Sequence, residues 1–310
     1  MYLCGRKKPC EMKKYLWLWW AVCVGHIQAQ EVIIKHDVSH LNVIEGKEIE
    51  RPIEVDIELF KENLLPLQEK FYIPLEAKPI IYSYTKRYLS YKWIGKVIGL
   101  SDYYFPLFDK KIRQYELPYD IKYLAIVESA LNPRATSPVG AKGLWQFMPA
   151  TGDHMGLKYN SYLNIFYDPM ANTDSAMRYL KQLYERYNDW LLAISAYNCG
   201  AGNVDKAIRR AKTNDYWQVR KYLPKETQAY VPTFLAITYV FYNYRDYNIE
   251  PPIFKYQFTD FVITTTTKAG SIKEVAEWYN TPENVFRFAN PQILTNYVPK
   301  GTIIYTLGKE

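Results

Sequence analysis

Glu128 stands where the chain's own pattern asks for a core residue. Ile121, Leu124 and Ala125 recur at i, i+3 and i+4, the spacing of one buried helix face, and the i+7 position of that face is Glu128. Acidic side chains are seldom fully buried without a partner, and burial raises a carboxyl pKa, by several units in extreme cases. A carboxyl that keeps its proton near neutral pH can act as a general acid. The structural alternative is a carboxylate that caps or ion-pairs with a neighbouring helix.

The residues that follow read as a site loop. Asn132-Pro133 breaks the helix, because a residue before proline is pushed out of the α region. Ser137, Pro138, Gly140 and Gly143 then lead into Leu144-Trp145-Gln146-Phe147-Met148-Pro149, which sets rings beside one amide. That mixture suits a cleft for a polar ring such as a sugar. Upstream, Pro118 after Leu117 supplies a helix-compatible first turn.

Three separated motifs occur in order: Glu128-Ser129 with Pro133; Gly143 to Pro149 with Thr151-Gly152; and Ala196-Tyr197-Asn198 with Gly200, Gly202 and Val204. Together they resemble the soluble-lytic-transglycosylase (SLT) family of murein-cleaving enzymes, and the Gly-Leu-Trp-Gln-Phe-Met-Pro run looks most like its membrane-bound lytic murein transglycosylase D branch. The resemblance covers Phe105 to Tyr244. It implies a mainly α fold, with a lysozyme-like (goose-type, SLT) catalytic domain behind an N-terminal helical extension. It also implies cleavage of the bond between N-acetylmuramic acid and N-acetylglucosamine in peptidoglycan glycan strands, leaving 1,6-anhydro ends and using no cofactor.

An ordinary glycosidase needs two carboxylates. The family uses a single Glu as acid and then base, with intramolecular attack by the muramic 6-hydroxyl, which enjoys a high effective molarity. Matching positions make Glu128 the catalytic residue and place Ser129, Gln146, Phe147, Met148, Tyr197, Asn198 and Tyr230 on the substrate side. Ser129 would bond near the sugar or orient Glu128, and Phe147 and Met148 would keep Glu128 protonated. Glu226 invites a reading as a second carboxylate, but a capping or structural role is preferred. The rivals are a lysozyme-type muramidase and a non-catalytic peptidoglycan-binding protein; the intact Glu128 and Gln146 speak against the latter.

Composition adds bounds. The 310 residues suffice for one large domain or two smaller ones. A surplus of 30 Tyr over 8 Trp and 13 Phe suits carbohydrate contact and ordinary packing alike. The net charge of +7 falls to +3 without residues 1–29, which gives no case for nucleic acid. The four His do not stand at metal-ligand spacing with Cys or acids.

Residues 1–29 read as a secretory signal, with Met12-Lys13-Lys14, an apolar run from Tyr15 to Gly25 and a cleavage site at Ile27-Gln28-Ala29. Met12 is an alternative start, which would leave residues 1–11 upstream. This implies export to the periplasm or cell envelope, with lipid anchoring at Cys23 as an alternative that Trp20 and Val22 fit poorly. Cys199 is then the only cysteine left, read as a small buried residue.

Residues 30–79, broken by Pro52, Pro66, Pro74 and Pro79, read as an extended or partly ordered arm, and 80–250 as the catalytic domain with its extension. Helical stripes are expected at Tyr84, Tyr88, Tyr91 and Ile94, and at Tyr104, Leu107, Phe108 and Ile112. Further helices are expected from an Asn172 or Thr173 cap to Tyr187, from Asp189 to Cys199, from Gly202 or Asn203 to Ala211, and over Thr227 to Tyr247. Pro251-Pro252 marks a boundary. Beyond it, strands at Phe258–Ile263 and Thr302–Leu307 enclose helices at Ser271–Tyr279 and Pro282–Ala289. This β-α-α-β order over 251–310 resembles a LysM module without its Gly-Asp-Thr-Leu form at Gly270, and it is expected to be separable. The alternative is a brace in which Trp278, Tyr279 and Phe286 pack on the catalytic domain.

Export predicts a mature chain that begins at Gln30. Mass analysis of the purified N-terminus checks this: a lipidated Cys23 selects the anchored form, and an intact Met1 or Met12 rejects export.

Overall fold

The computed structural model describes residues 55–308. The signal segment, Cys23 and the first part of the arm lie outside the described residues. The second part of the arm is not extended. Helix α1 (Ile57–Gln68) starts at Asp56, whose carboxylate accepts from Glu58 N, and it buries Phe60, Leu64 and Leu67. Those three stand at i, i+4 and i+7, a helical face that the prolines obscured. Pro66 sits near the end of α1, where its lost hydrogen bond matters less than the burial of that face. Beyond α1, Tyr72 N and Ile73 N donate to the buried Asp120, at 3.2 and 3.4 Å.

Helix α2 (Pro79–Leu89) and α3 (Ile94–Tyr115) are separated by a turn, so Tyr91 and Ile94 do not continue the first stripe; α2 buries Ile81, Thr85, Tyr88 and Leu89 instead. In α3 the expected face of Tyr104, Leu107, Phe108 and Ile112 is buried. Pro118 opens a 3₁₀ turn (Tyr119–Tyr123) that runs directly into α4 (Leu124–Ser129). Then follow α5 (Pro149–His154), α6 (Pro169–Tyr187), α7 (Trp190–Cys199), α8 (Ala201–Ala211), α9 (Tyr216–Val219) and α10 (Lys225–Asn243). The cap of α6 is Asp168, which accepts from Met170 N and Ala171 N, whereas Asn172 and Thr173 are fully buried inside the helix.

Helix α10 is the axis of the core, with every residue from Tyr230 to Phe241 buried. Helix α2 lies along it, α4 and α7 pack against it, and α6 pairs with α7 while crossing α3. The Phe60 ring of α1 packs on Tyr82 of α2 and Tyr239 of α10, with centroids 5.4 and 4.6 Å apart. The mainly α expectation therefore holds. Among the described residues no helix is long and apolar enough to cross a membrane.

The β-α-α-β order after Pro251-Pro252 is present as β1 (Val262–Thr265), β2 (Gly270–Ser271), α11 (Ile272–Trp278), α12 (Glu283–Ala289), β3 (Tyr297–Val298) and β4 (Ile303–Thr306). Strand β1 pairs antiparallel with β4, Val262 opposite Thr306, and β2 with β3. Phe258–Asp260, expected to begin the first strand, is a 3₁₀ turn.

The packing does not support a separable unit. Phe258, Phe261, Val285, Ala289 and Tyr305 belong to the same buried core as α3. The Tyr103 ring of α3 packs on Phe258, Phe261 and Phe288, with centroids 5.9, 6.2 and 4.7 Å apart. At Gly99 of α3 a Cβ would lie 2.4 Å from Pro252 O, so the chain beyond the boundary is pressed onto that helix. The brace exists, but Trp278, Tyr279 and Phe286 instead serve a small second core with Ile272, Val275 and Ile304. Burying one Phe-sized side chain stabilises by about 1.5–3 kcal/mol, and 1 kcal/mol moves Tm by about 2–4 °C in a domain of this size. Truncation after Glu250 is therefore expected to lower Tm by at least ~10 °C; calorimetry showing an unchanged midpoint would contradict the brace.

Candidate active site

Glu128 lies in the last turn of α4. Ala130 N closes that turn on Ile126 O, and Ala130 and Leu131 are both left-handed, at φ 47° and 63°. The helix thus ends before the expected break at Asn132-Pro133. Two adjacent non-glycine residues in that region are strained, a feature that clusters at functional sites.

The loop after α4 is closed by paired backbone bonds between Lys142 and Phe147, at 2.9 and 3.0 Å. Gly143 has φ +86°, and a Cβ there would lie 2.1 Å from Phe166 O, so only glycine fits. Ser129 Oγ donates to Leu144 O at 2.8 Å, tying this loop to the residue beside Glu128. Trp145 is held on three sides. Its N donates to Asn172 Oδ1 (2.9 Å), its indole N–H to Thr173 Oγ1 (3.0 Å), and its carbonyl accepts from Tyr197 OH (2.7 Å).

Tyr230, from α10, donates its hydroxyl to Glu128 Oε1. The Glu128 carboxyl is pushed up to about 8, chiefly by burial; Tyr230's hydrogen bond opposes the shift and the negative charge of Glu226 adds to it. Glu128 as a residue is only partly buried, as a proton donor to a bound ligand requires. Burial raises the phenol pKa of Tyr197 and Tyr230 well above the usual value, and the Glu128 charge raises both further, so both remain donors.

The structure therefore brings Glu128, Tyr197 and Tyr230 together, with Gln146, Met148 and Asn198 also reaching the surface. Gln146, left-handed at φ 48°, gives its amide nitrogen to Gly143 O (2.8 Å) and Ala135 O (3.2 Å), which leaves the amide oxygen as its ligand-facing group. Asn198 Oδ1 accepts from Thr227 Oγ1 at 2.7 Å, joining α7 to α10. Met148 is 44% exposed.

Two residues expected at the sugar are turned inward. Ser129 is buried with its hydroxyl used on Leu144 O and Ala125 O, and Phe147 is buried with its ring near Tyr179 and Tyr197. Both support the wall and do not form its surface. Glu226 lies in the first turn of α10, where a negative charge suits the helix N-terminus, and the N-cap position itself is Pro224. Asn172 and Thr173 were missed as supports; the available signal was two polar residues in register with Ala176, Met177 and Leu180 on an apolar face. Cys199 is half-buried, and burial raises its thiol pKa, as a packing role requires. Among the described residues no group of three or more His, Cys, Asp or Glu could hold a metal ion.

Residues 106–220 match the family model described as Transglycosylase SLT domain. Over 147 residues the chain is 37% identical to membrane-bound lytic murein transglycosylase D of Escherichia coli (strain K12), a match covering 46% of this chain and 32% of that protein. It is 32% identical over 149 residues to soluble lytic murein transglycosylase of the same strain, covering 46% and 23%. The chain thus spans about a third or less of these relatives' length. The crystal structure of the 70 kDa soluble lytic transglycosylase from Escherichia coli aligns with TM-score 0.42 and 20% identity, over 74% of this chain and 44% of that one.

The raised carboxyl has a stability consequence with a definite sign. Glu128 binds its proton more tightly when folded (about 8) than at its ordinary value of 4.5, so it costs nothing below the lower value and progressively more as pH rises towards 8. Glu128→Gln keeps the shape and the acceptor oxygen for Tyr230. It should raise Tm at pH 8 and leave it near wild type at pH 4.5; equal midpoints at pH 8 would reject the buried-acid assignment.

Proposed function

We propose that this protein is a peptidoglycan lytic transglycosylase that cleaves the β-1,4 bond between N-acetylmuramic acid and N-acetylglucosamine. The observation that carries the reading is Glu128, held by Tyr230 and kept protonated to about pH 8 inside an SLT domain. Glu128 gives its proton to the glycosidic oxygen as that bond breaks. The resulting carboxylate, still bonded to Tyr230, takes the proton of the muramic 6-hydroxyl, whose oxygen closes on the anomeric carbon. No water is consumed, and Glu128 ends protonated as it began.

Gln146, Met148, Tyr197 and Asn198 form the partly exposed wall against the N-acetyl sugars, while Ser129, Phe147 and Tyr230 hold that wall and the acid in place. The relatives' names place them on murein, some of them at a membrane. For this chain we propose action on glycan strands in the cell envelope after export through residues 1–29, with the module over 251–310 a LysM-like unit. The second reading is a muramidase, in which Glu226, whose negative charge adds to the rise of the Glu128 pKa, would direct water.

Mass spectrometry of muropeptides released from purified murein separates the two. The transglycosylase gives anhydro ends, one water lighter than the reducing ends of a muramidase. A folded Glu128→Gln protein should lose ~10²–10⁴-fold in rate, the usual contribution of a positioned proton donor; wild-type turnover in that variant would sink the assignment. Activity should also decline as pH rises through about 8, where Glu128 loses its proton.

A further inference from the structure

The C-terminal module touches the catalytic domain at a second place, apart from the aromatic seam on α3. Tyr305 of β4 is buried and donates its hydroxyl to Asp168 Oδ1 at 2.7 Å. The same oxygen accepts from Met170 N and Ala171 N, both at 2.9 Å, so three donors converge on one buried carboxylate at the start of α6. One helical turn on, Asn172 N bonds Asp168 O, and Asn172 and Thr173 hold the backbone and indole of Trp145. Trp145 O anchors the Tyr197 hydroxyl, and the neighbouring Leu144 O anchors Ser129 beside Glu128. On the same loop, Arg134 donates Nε to Pro291 O (2.9 Å) and a terminal nitrogen to Ile293 O (2.7 Å), both in the module.

We infer that Tyr305 is a positioning residue for the active site, acting through Asp168 and the first turn of α6 on Trp145, and so on the wall that carries Tyr197 and flanks Glu128. The module is then part of the catalytic apparatus and more than a wall-binding appendage. A fully buried carboxylate depends on every donor aimed at it. With the Tyr305 hydroxyl gone, Asp168 keeps two backbone donors, the turn bearing Asn172 and Thr173 loosens, and Trp145 loses its fixed seat. A shift of about 1 Å in a positioned group can cost ~10²-fold in rate. The inference rests on the transglycosylase reading for the reaction, but not for the geometry.

The test uses full-length Tyr305→Phe, which removes one hydroxyl and keeps the ring packed on Phe258. Tyr279→Phe, which removes a module hydroxyl bonded to Thr265 O, serves as control. Hydrogen–deuterium exchange should speed up in the peptide over residues 143–148 while α1 keeps wild-type rates. On murein sacculi kcat should fall about tenfold with KM within about twofold, and Tyr279→Phe should match wild type. Unchanged exchange over 143–148, equal acceleration throughout the chain, or an unchanged kcat would each overturn the proposal. If wild type leaves sacculi intact, the transglycosylase reading fails and the exchange pattern alone decides the positioning role.

Discussion

A protonated carboxyl held by a phenol in a largely dry setting is the interaction around which the rest is arranged. Water would stabilise the ionised form of Glu128 and bring its pKa down, so a raised pKa at a site open to a ligand requires that water be largely excluded. The fold meets both demands by ending α4 immediately after Glu128 and tying the loop from Ala130 to Phe147 back to Ser129 through Leu144 O. Tyr230 has a double role. Its bond lowers the Glu128 pKa a little, yet it also gives the carboxylate a partner once the proton has left.

This arrangement stores strain. Ala130, Leu131 and Gln146 are left-handed without being glycine, and the amide nitrogen of Asn172 is buried without a hydrogen-bond partner among the described residues. Each such feature costs on the order of 1–3 kcal/mol. The opposing stabilisation comes from outside the loop: α10 buried along most of its length, α1 laid on it through Phe60, and the module's aromatic seam on α3. The large elements outside the loop thus offset the strain within it.

Asp120 and Asp168 show the same economy in the connections between parts. Each is a buried carboxylate, and each receives donors from a distant segment: Tyr72 and Ile73 for the one, Tyr305 for the other. Burial raises the pKa of both, that of Asp120 to about 6, and the donors pull the other way. The N-terminal segment and the C-terminal module are thereby tied to the helical core by polar bonds whose loss would leave a buried acid poorly compensated.

The sequence by itself determined most of the core helices and the acid. Glu128 interrupting the Ile121, Leu124, Ala125 face was legible because a 3.6-residue period exposes any polar residue that breaks it. The stripes of α3, α6 and α7 and the β-α-α-β order were legible for the same reason, since local periodicity survives without knowledge of neighbours. What only the tertiary structure decided depends on partners distant in the chain. Prolines disguised α1 until Phe60 found Tyr239. Ser129 and Phe147 faced inward because Leu144 O and the Tyr179 and Tyr197 rings lay there to receive them. Asn172 and Thr173, plausible caps on propensity alone, yielded that role to Asp168 because Trp145 needed their side chains. The module's attachment rests on pairs such as Tyr103 with Phe258 and Asp168 with Tyr305, the latter 137 positions apart in sequence, and no periodicity links residues so far apart.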